Sequence, residues 1–188
     1  FSLKVMPFPN EKKTFLAKQD KSKKGSLDEK IIPLITLINS KERYYTTSSC
    51  SGRVYFWGGS GKKNETEWLR VSHDVISADF LDVPMQQGAL WLRLEGFILH
   101  VACKDMNAAE ELLEIAQRIY KKSYLLSTTN KIIVEMRGGE IMEMPFMIDG
   151  KVVYTGSTEW LVEYINRKFT VIFQGIEKFE KVVQEKLK

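Results

Sequence analysis

The segment TTSSCSGR, residues 46–53, carries the densest set of side chains that could do chemistry. Five hydroxyls and one thiol accompany Gly52 and Arg53. Small side chains leave room for a ligand to approach the backbone, and a guanidinium offers a carboxylate or a phosphate a fixed fork. The same hydroxyls could instead hold a structural bend, in which glycine adopts a conformation closed to other residues. The pattern alone favours the bend and permits ligand binding.

A second polar segment, DKSKKGSLD, spans residues 20–28. Ser22, Gly25 and Ser26 precede a predicted helix, whose first N–H groups and dipole could receive an anion. Lysines in front of a helix are more often simply solvated, and we favour that interpretation. This segment is therefore a weaker candidate for ligand binding.

The two histidines and one arginine could take part in proton transfer or ion pairing. His73, in VSHD, could be a general base or a hydrogen-bonding anchor, whereas the apolar surroundings of His100 in FILHVAC favour a buried, neutral, structural histidine. Arg137 comes at the end of a predicted strand, where it could pair with Glu95 or Glu135 or point into a site. Neither histidine establishes catalysis.

Metal and nucleotide motifs are not indicated. Zinc could be suggested by four side chains, Cys50, His73, His100 and Cys103. His100 and Cys103 lie three residues apart on a predicted strand, so they point to opposite faces, and we expect no metal. Neither a GxxxxGK[ST] loop nor a GxGxxG segment between a strand and a helix occurs. A Rossmann-type cofactor crevice is therefore not expected.

Strands are predicted wherever short apolar or alternating runs end at turn residues. The expected strands are 44–57, 67–73, 90–94, 97–103, 131–137 and 141–146, with 58–65 as the turn of a hairpin. The run 97–103 is almost continuously apolar, which is typical of a strand in the middle of a sheet.

Helices are predicted by apolar residues at steps of three and four. One starts near Ser26, where Glu29 completes a capping box and Pro33 disturbs the first turn, and another is capped by Asn107. A long amphipathic helix follows Ser157. Its aromatic residues Trp160, Tyr164 and Phe169 are expected to be core residues.

Together these elements predict an α+β fold with a mixed, largely antiparallel sheet flanked by helices. Residues 1–25 are lysine-rich and are expected to form a basic arm with one short helix. Residues 26–188 are expected to form a single domain, which is long enough to bury a substantial core.

The composition limits the function only loosely. The chain has 188 residues, is 44% hydrophobic and carries a net charge of +4, which tolerates a polyanionic partner without requiring one. Its two cysteines form no CxxC pair, so a reduced, cytoplasmic protein is expected. The most apolar run, 89–103, is too short and too charged to cross a membrane.

The polar segments share an order and spacing with a known family. KSKKGSLDE, YYTTSSCSGR, the VSH that contains His73, EGFILHVAC and VEMR together make the chain resemble the family of tRNA wybutosine-synthesising protein 3, including its archaeal members. The resemblance extends from about Asp20 to the final helix. TTSSCSGR followed some fifty residues later by FILHVAC is a specific combination.

The resemblance implies an S-adenosylmethionine-dependent methyltransferase. Its expected substrate is the N-4 ring nitrogen of a wyosine-type tricyclic guanosine at position 37 of phenylalanine tRNA, in the anticodon loop. It also implies a fold unlike that of Rossmann-type methyltransferases, which agrees with the missing glycine fingerprint. Other enzymes of the same pathway are further expected partners.

The family's motif positions carry over to individual residues of this chain. We hypothesise catalytic roles for Asp28, His73 and His100, cofactor binding by Ser48, Ser49 and Arg53, and substrate binding by Ser22, Lys24, Glu95 and Arg137, of which all but Lys24 match motif positions. In the resulting hypothesis Asp28 or His73 accepts the ring proton, while His100 and Glu95 brace the pocket wall. Cys50 is expected to be a small packed residue, because nothing basic adjoins it in sequence to form a thiolate.

The chain departs from the family pattern at two places. Gly96 stands where proline is expected, and KKSYLL, residues 121–126, replaces an RNSG-like turn. We assign no cofactor or base contact to that turn.

A basic rim is expected to contact the tRNA backbone, formed by the lysines at 21, 23, 24, 62 and 63. A rival interpretation from another class is a non-catalytic RNA-binding or scaffold protein, which has no reason to bind S-adenosylmethionine.

Overall fold

A computed structural model describes residues 6–19, 27–58 and 67–187. The helices are α1 (Phe8–Gln19), α2 (Ile32–Ser40), α3 (Met106–Gln117) and α4 (Thr158–Lys186), with 3₁₀ turns at Glu29–Ile31 and Ala78–Leu81. The strands are β1 (Tyr44–Cys50), β2 (Arg53–Gly58), β3 (Glu67–Ser72), β4 (Ala89–Glu95), β5 (Ile98–Cys103), β6 (Tyr124–Ser127), β7 (Ile132–Arg137), β8 (Ile141–Ile148) and β9 (Lys151–Val152).

The described residues form two compact units. The four-stranded unit contains the chain up to Cys50, Ile98–Gly138 and the part of α4 from Gly175 onward. The five-stranded unit contains Ser51–Phe97 and Gly139–Gln174. The predicted boundary between a basic arm and a single domain near residue 25 stays a prediction.

The sheet of the four-stranded unit has the order β1-β5-β7-β6, and its neighbouring strands are antiparallel. β5 lies inside the sheet, which confirms the prediction from its apolar run. Leu99 and Val101 on one face of β5 are fully buried, as are Leu34 and Ile38 on α2. Pro33 lies in the first turn of α2, where its missing N–H has no intrahelical partner to lose.

Helix α1 confirms the short helix expected near the N-terminus. The rings of Phe8 and Phe15 lie 5.4 and 5.2 Å from the ring of Tyr45 on β1. The Tyr45 hydroxyl donates to the Glu11 carboxylate at 2.5 Å, and Lys131 Nζ lies 2.8 Å from the same carboxylate. Aromatic packing and a small ion-pair network therefore hold α1 against the sheet.

Helix α3 starts earlier than its sequence suggests. Its N-cap is Asp105, whose carboxylate accepts a hydrogen bond from the Ala108 N–H at 2.8 Å, so the prediction of Asn107 as the cap is wrong. Asp and Asn are equally good caps, and here the carboxylate reaches the free N–H first. Asn107 instead accepts from Arg43 at 2.7 Å.

The sheet of the five-stranded unit has the order β3-β2-β4-β8-β9 and is also antiparallel. β4 alternates strictly, with Leu90, Leu92 and Leu94 fully buried and the residues between them partly exposed. Phe56 on β2 packs on the rings of Phe80 and Phe146 in the core of this unit.

Two sequence expectations about extended and helical segments need correction. The predicted strand 44–57 is two strands, because the chain turns at Ser51 and Gly52. Trp160 is 50% exposed and not a core residue, since it lies on the solvent side of the amphipathic α4, whereas Phe169 is fully buried. The short strands β6 and β9 were not expected because neither has a clear alternating pattern.

The α+β, antiparallel, non-Rossmann fold class is confirmed. Ser26 lies outside the described residues, so the capping box that it would form with Glu29 stays a prediction. Among the described residues, no helix is both long enough and apolar enough to span a membrane.

The bend between β1 and β2 depends on glycine. Gly52 has a φ of +108°, and a Cβ at this position would lie 3.2 Å from both the Glu95 carbonyl oxygen and the Ile172 side chain. Other residues rarely adopt such a φ, and backbone cannot yield as a flexible side chain can.

Gly52→Ala should therefore lower the free energy of unfolding by roughly 3 kcal/mol, combining backbone strain with the clash. Gly88→Ala is the matched control, because Gly88 has a φ of +77° but open space around the new methyl group. It should cost only about 1 kcal/mol. Urea unfolding of both variants measures the difference, and equal losses would contradict the close contact at Gly52.

Candidate active site

A row of polar side chains crosses the four-stranded sheet. Ser48 on β1 lies opposite His100 on β5, and His100 lies opposite Glu135 on β7. Glu135 in turn lies opposite Tyr124 on β6. Residues directly opposite each other on neighbouring strands share a face, so these four side chains, called the polar row below, stand on one side of the sheet.

Glu135 is the buried member of the polar row, with 3% of its surface exposed. His100 Nε2 lies 2.7 Å from one carboxylate oxygen, and Arg137 Nη2 lies 2.9 Å from the other. Hydrogen bonding to this carboxylate raises the pKa of Tyr124. A buried charge is tolerated only when it is paired in this way.

The hydrogen bond between His100 and Glu135 selects one tautomer of the neutral imidazole. Nε2–H donates to the carboxylate, which leaves the lone pair of Nδ1 as an acceptor. A carboxylate that fixes the tautomer and stabilises the protonated ring is the arrangement found beside catalytic histidines. The apolar sequence around His100 favoured a buried, structural histidine, but the side chain of His100 is 24% exposed.

The two serines predicted to bind the cofactor point in opposite directions. Ser48 is exposed on the face of His100, whereas Ser49 lies opposite the fully buried Leu99. Strand side chains alternate between faces, so Ser48 and Ser49 cannot present their hydroxyls to a ligand on the same side of β1. The structure brings only Ser48 into the polar row.

In the five-stranded unit, Arg53 and Glu95 form a fixed pair. Arg53 Nε and Nη2 donate to Glu95 Oε2 at 2.9 and 2.8 Å. The Arg53 guanidinium also lies 4.3 Å from the centre of the Trp68 ring. The ion pair and the cation–π contact together hold the guanidinium in one orientation.

The second oxygen of Glu95 is also engaged. The Tyr55 hydroxyl donates to Oε1 at 3.0 Å, and Arg93 Nε lies 3.1 Å from the same oxygen. Burial, followed by the negative charge of Glu95, raises the pKa of Tyr55 to about 12. Three hydrogen bonds and the ion pair with Arg93 engage both oxygens of Glu95, so this carboxylate has little capacity left for a substrate. Its geometry supports positioning of Arg53 better than the expected direct substrate contact.

The remaining predicted residues lie at the ends of elements. Asp28 precedes the 3₁₀ turn in the four-stranded unit, where its backbone carbonyl accepts from Ile31 N–H and its carboxylate does not cap the turn. His73 follows β3 in the five-stranded unit and is exposed. Arg137 pairs with Glu135, one of the two partners considered, and its side chain is half exposed.

Several sequence predictions fall outside the described residues. These are the substrate-binding residues Ser22 and Lys24 and the other lysines of the basic rim, at 21, 23, 62 and 63. The prediction that no metal is bound also stays a prediction.

Four residues of these two clusters had no role in the predicted site: Glu135, Tyr124, Tyr55 and Arg93. Of these four, only Glu135 could have been found from the sequence, because a carboxylate inside the apolar strand IIVEM needs a polar or charged partner. The contacts of the other three depend on strand register, which this sequence does not fix.

The chain is similar to several known proteins. The family model described as Methyltransferase TYW3 matches residues 10–185. A tRNA(Phe) 7-((3-amino-3-carboxypropyl)-4-demethylwyosine(37)-N(4))-methyltransferase from Thermococcus sibiricus is 34% identical, over 93% of this chain and 91% of that protein. A tRNA wybutosine-synthesizing protein 3 homolog from Xenopus laevis is 33% identical, over 96% of this chain and 76% of that protein. The solved structure of the PH1069 protein from Pyrococcus horikoshii matches with a TM-score of 0.85 and 30% identity, over 95% of both chains.

Cys103 should be inert in the folded protein. It is 4% exposed, and burial raises the pKa of its thiol to about 12. Because the thiolate is the reactive form, iodoacetamide at pH 8 should leave Cys103 unlabelled until the chain is unfolded. As the pH rises above the ordinary thiol pKa, Cys103 loses its proton in the unfolded chain before it does so in the folded protein. The contribution of this thiol to the free energy of unfolding therefore declines as the pH rises toward 12. Peptide mass spectrometry reads out the labelling, and equal labelling rates in native and unfolded protein would contradict the burial.

Proposed function

The chain belongs to the methyltransferase TYW3 family, and from this premise we propose that it methylates the N-4 ring nitrogen of a wyosine-type guanosine at position 37 of phenylalanine tRNA. It is a methyltransferase of wybutosine biosynthesis. The observation that carries the finer proposal is the relative from Thermococcus sibiricus, which matches over 91% of its length and whose name specifies tRNA(Phe), 4-demethylwyosine and N(4).

We propose S-adenosylmethionine as the methyl donor. When bound, it supplies a methyl group activated on a sulfonium sulfur. Arg53 fits the carboxylate of this donor, because its guanidinium is held in one direction by Glu95 and still has free N–H groups. Of the two serines predicted to contact the donor, Ser48 is the better candidate, since its hydroxyl is exposed on the face of His100. Ser49 stays a weaker prediction.

Methyl transfer to a ring nitrogen forms an N–CH₃ bond, breaks an S–CH₃ bond and releases the proton of the ring N–H. The protein must align the reacting atoms and accept that proton. We propose Nδ1 of His100 as the acceptor, with Glu135 as the positioning residue that holds the ring and stabilises its protonated form. Asp28 and His73 remain alternative acceptors.

Positively charged side chains are the proposed contacts with the tRNA. Arg137 is half exposed beside the polar row, so its remaining N–H groups can reach a phosphate or a base edge. Ser22, Lys24 and the other lysines of the basic rim are proposed backbone contacts, which would make binding strongly dependent on salt. Because the target base lies in the anticodon loop, little duplex has to be opened.

We also propose that the protein acts in the cytoplasm, with other enzymes of the pathway as partners. The chain has only two cysteines, far apart in sequence and without a CxxC pair, which supports a reducing compartment.

Glu135→Gln should lower kcat for methyl transfer at least tenfold, while KM for S-adenosylmethionine changes little. The amide keeps the size of the side chain but no longer favours the Nε2–H tautomer or a protonated ring. Transfer of a radiolabelled methyl group to tRNA that carries the demethylated base measures both constants.

Two matched variants separate positioning from general loss of structure. Glu135→Asp keeps the charge and should recover part of kcat. Glu114→Gln removes the exposed partner of Arg118 and should leave both constants unchanged. A Glu135→Gln enzyme with wild-type kcat, or one that loses activity only through a raised KM, would contradict the positioning role.

Arg53→Ala should weaken S-adenosylmethionine binding about tenfold or more, because a charge-assisted pair with the donor is lost. Titration calorimetry with S-adenosylmethionine alone measures the affinity, and Arg118→Ala, at the exposed position that follows α3, is the control. No detectable binding to the wild-type protein would favour the scaffold interpretation.

Full methyl transfer by single alanine variants of Asp28, Arg53 and His73 would defeat the roles assigned to these three residues.

A further inference from the structure

One face of the five-stranded sheet is rich in aromatic and guanidinium groups. It carries Tyr55 and Trp57 on β2, Trp68 on β3 and Trp91 on β4, together with Arg53 and Arg93. We call this surface the aromatic face. The opposite face of the same sheet is the buried core around Phe56 and Leu92. Three of the four tryptophans of the chain therefore lie on the other side of the sheet, where Trp68 is exposed, Trp57 and Trp91 are partly exposed, and Tyr55 is buried.

The rings of the aromatic face are already arranged in parallel pairs. Tyr55 and Trp68 stack at 4.7 Å with an interplanar angle of 17°. Trp57 and Trp91 stack at 5.9 Å with an angle of 15°. Trp68 remains 48% exposed, so a large part of its indole is open to another flat ring. Pre-ordered rings bind a further ring with little loss of side-chain entropy.

The charges of the aromatic face are balanced and fixed. Arg53 and Arg93 contact Glu95, and Arg93 also lies 3.1 Å from Glu143. Arg53 stands 4.3 Å from the centre of the Trp68 ring. This surface is therefore suited to flat, π-rich groups held by stacking and guanidinium contacts, more than to a row of phosphates.

The aromatic face is continuous with residues already assigned to the reaction. Arg53 and Glu95 belong both to the candidate site and to this face, and Trp68 lies directly against Arg53. Aromatic side chains on an open sheet are a common platform for unstacked bases of single-stranded RNA. The curated relative from Thermococcus sibiricus acts, by its name, on position 37 of tRNA(Phe), a base in a single-stranded loop.

We propose that the aromatic face binds unpaired bases of the anticodon loop next to the base to be methylated, with Trp68 and Trp91 as the main stacking residues. This proposal rests on the proposed function and adds the surface that recognises its substrate. The occupant is single-stranded RNA, recognised through the flat faces of its bases and hence with little dependence on their sequence.

Fluorescence anisotropy tests the proposal with a synthetic RNA hairpin that has the anticodon-arm sequence of phenylalanine tRNA, in the absence of S-adenosylmethionine. Trp68→Ala and Trp91→Ala should each raise the Kd at least about tenfold, the usual loss when one stacking ring is removed. Trp68→Phe keeps a ring and should recover most of the affinity. A blunt duplex made from the same stem should bind the wild type and the variants equally.

Trp160→Ala is the matched control. Trp160 is 50% exposed and stacks on Tyr164 at 5.1 Å, like Trp68 on Tyr55, but it lies on a helix of the same unit. Its loss should leave hairpin affinity unchanged. Because Trp68 is exposed, Trp68→Ala should keep the wild-type circular dichroism and melting temperature, so weaker binding would not reflect unfolding.

Three outcomes would overturn the proposal. In the first, Trp68→Ala and Trp91→Ala bind the hairpin with wild-type affinity. In the second, they weaken the binding of the hairpin and of the duplex equally. In the third, sedimentation shows that the substitutions dissociate a dimer, which would make the aromatic face a contact between two copies of the chain. Methyl transfer to full-length tRNA by the wild-type protein is scored separately. If that activity is present and hairpin affinity is unaffected, only the RNA surface is wrong; if wild-type activity is absent, the proposed function itself fails.

Discussion

A buried carboxylate, that of Glu135, organises the polar row of the four-stranded sheet. Glu135 is almost without solvent contact, so its charge has to be balanced by neighbours on the sheet. His100 and Arg137 supply that balance through opposite oxygens. Leaving a buried charge without its partner typically costs about 3–5 kcal/mol, which ties the orientation of the histidine to the stability of the sheet. The structural requirement and the proposed catalytic one therefore meet at the same hydrogen bond.

A different carboxylate organises the five-stranded unit. Glu95 accepts hydrogen bonds from Arg53 and Tyr55, so the guanidinium of Arg53 is held in one orientation. Neither unit contains the glycine-rich turn that binds nucleotides in doubly wound sheets. Recognition of a cofactor carboxylate would depend here on an oriented guanidinium instead of a helix N-terminus.

The fold was predictable wherever one physical rule dominated. The apolar run of FILHVAC placed β5 inside a sheet, and steps of three and four residues gave the long helix α4. The structural interpretation of TTSSCSGR is confirmed, since Gly52 forms a bend in a conformation that other residues rarely adopt, whereas ligand binding by Arg53 stays a prediction. The division of 44–57 into two strands was missed because propensity alone does not reveal a close backbone contact.

The sequence predicted several residues of the candidate site, but not which side chains pair with each other there. Motif positions led to His100, Arg53 and Arg137, whereas the partners of these residues depend on strand register. Ser48 and Ser49 show the limit most clearly, since adjacent residues on a strand face opposite ways and a motif does not say which way is outward. The aromatic face was not expected either, because its rings come from three strands that are distant in sequence.

The tautomer of His100 tests most directly whether Glu135 controls this histidine. The chain has two histidines, so a long-range nitrogen NMR spectrum of labelled protein can be assigned with a single His73 variant. We expect neutral His100 to carry its proton on Nε2, and Glu135→Gln to shift this ring to a mixture of tautomers. A wild-type His100 protonated on Nδ1, or one that exchanges freely between both forms, would show that the buried carboxylate does not control the histidine.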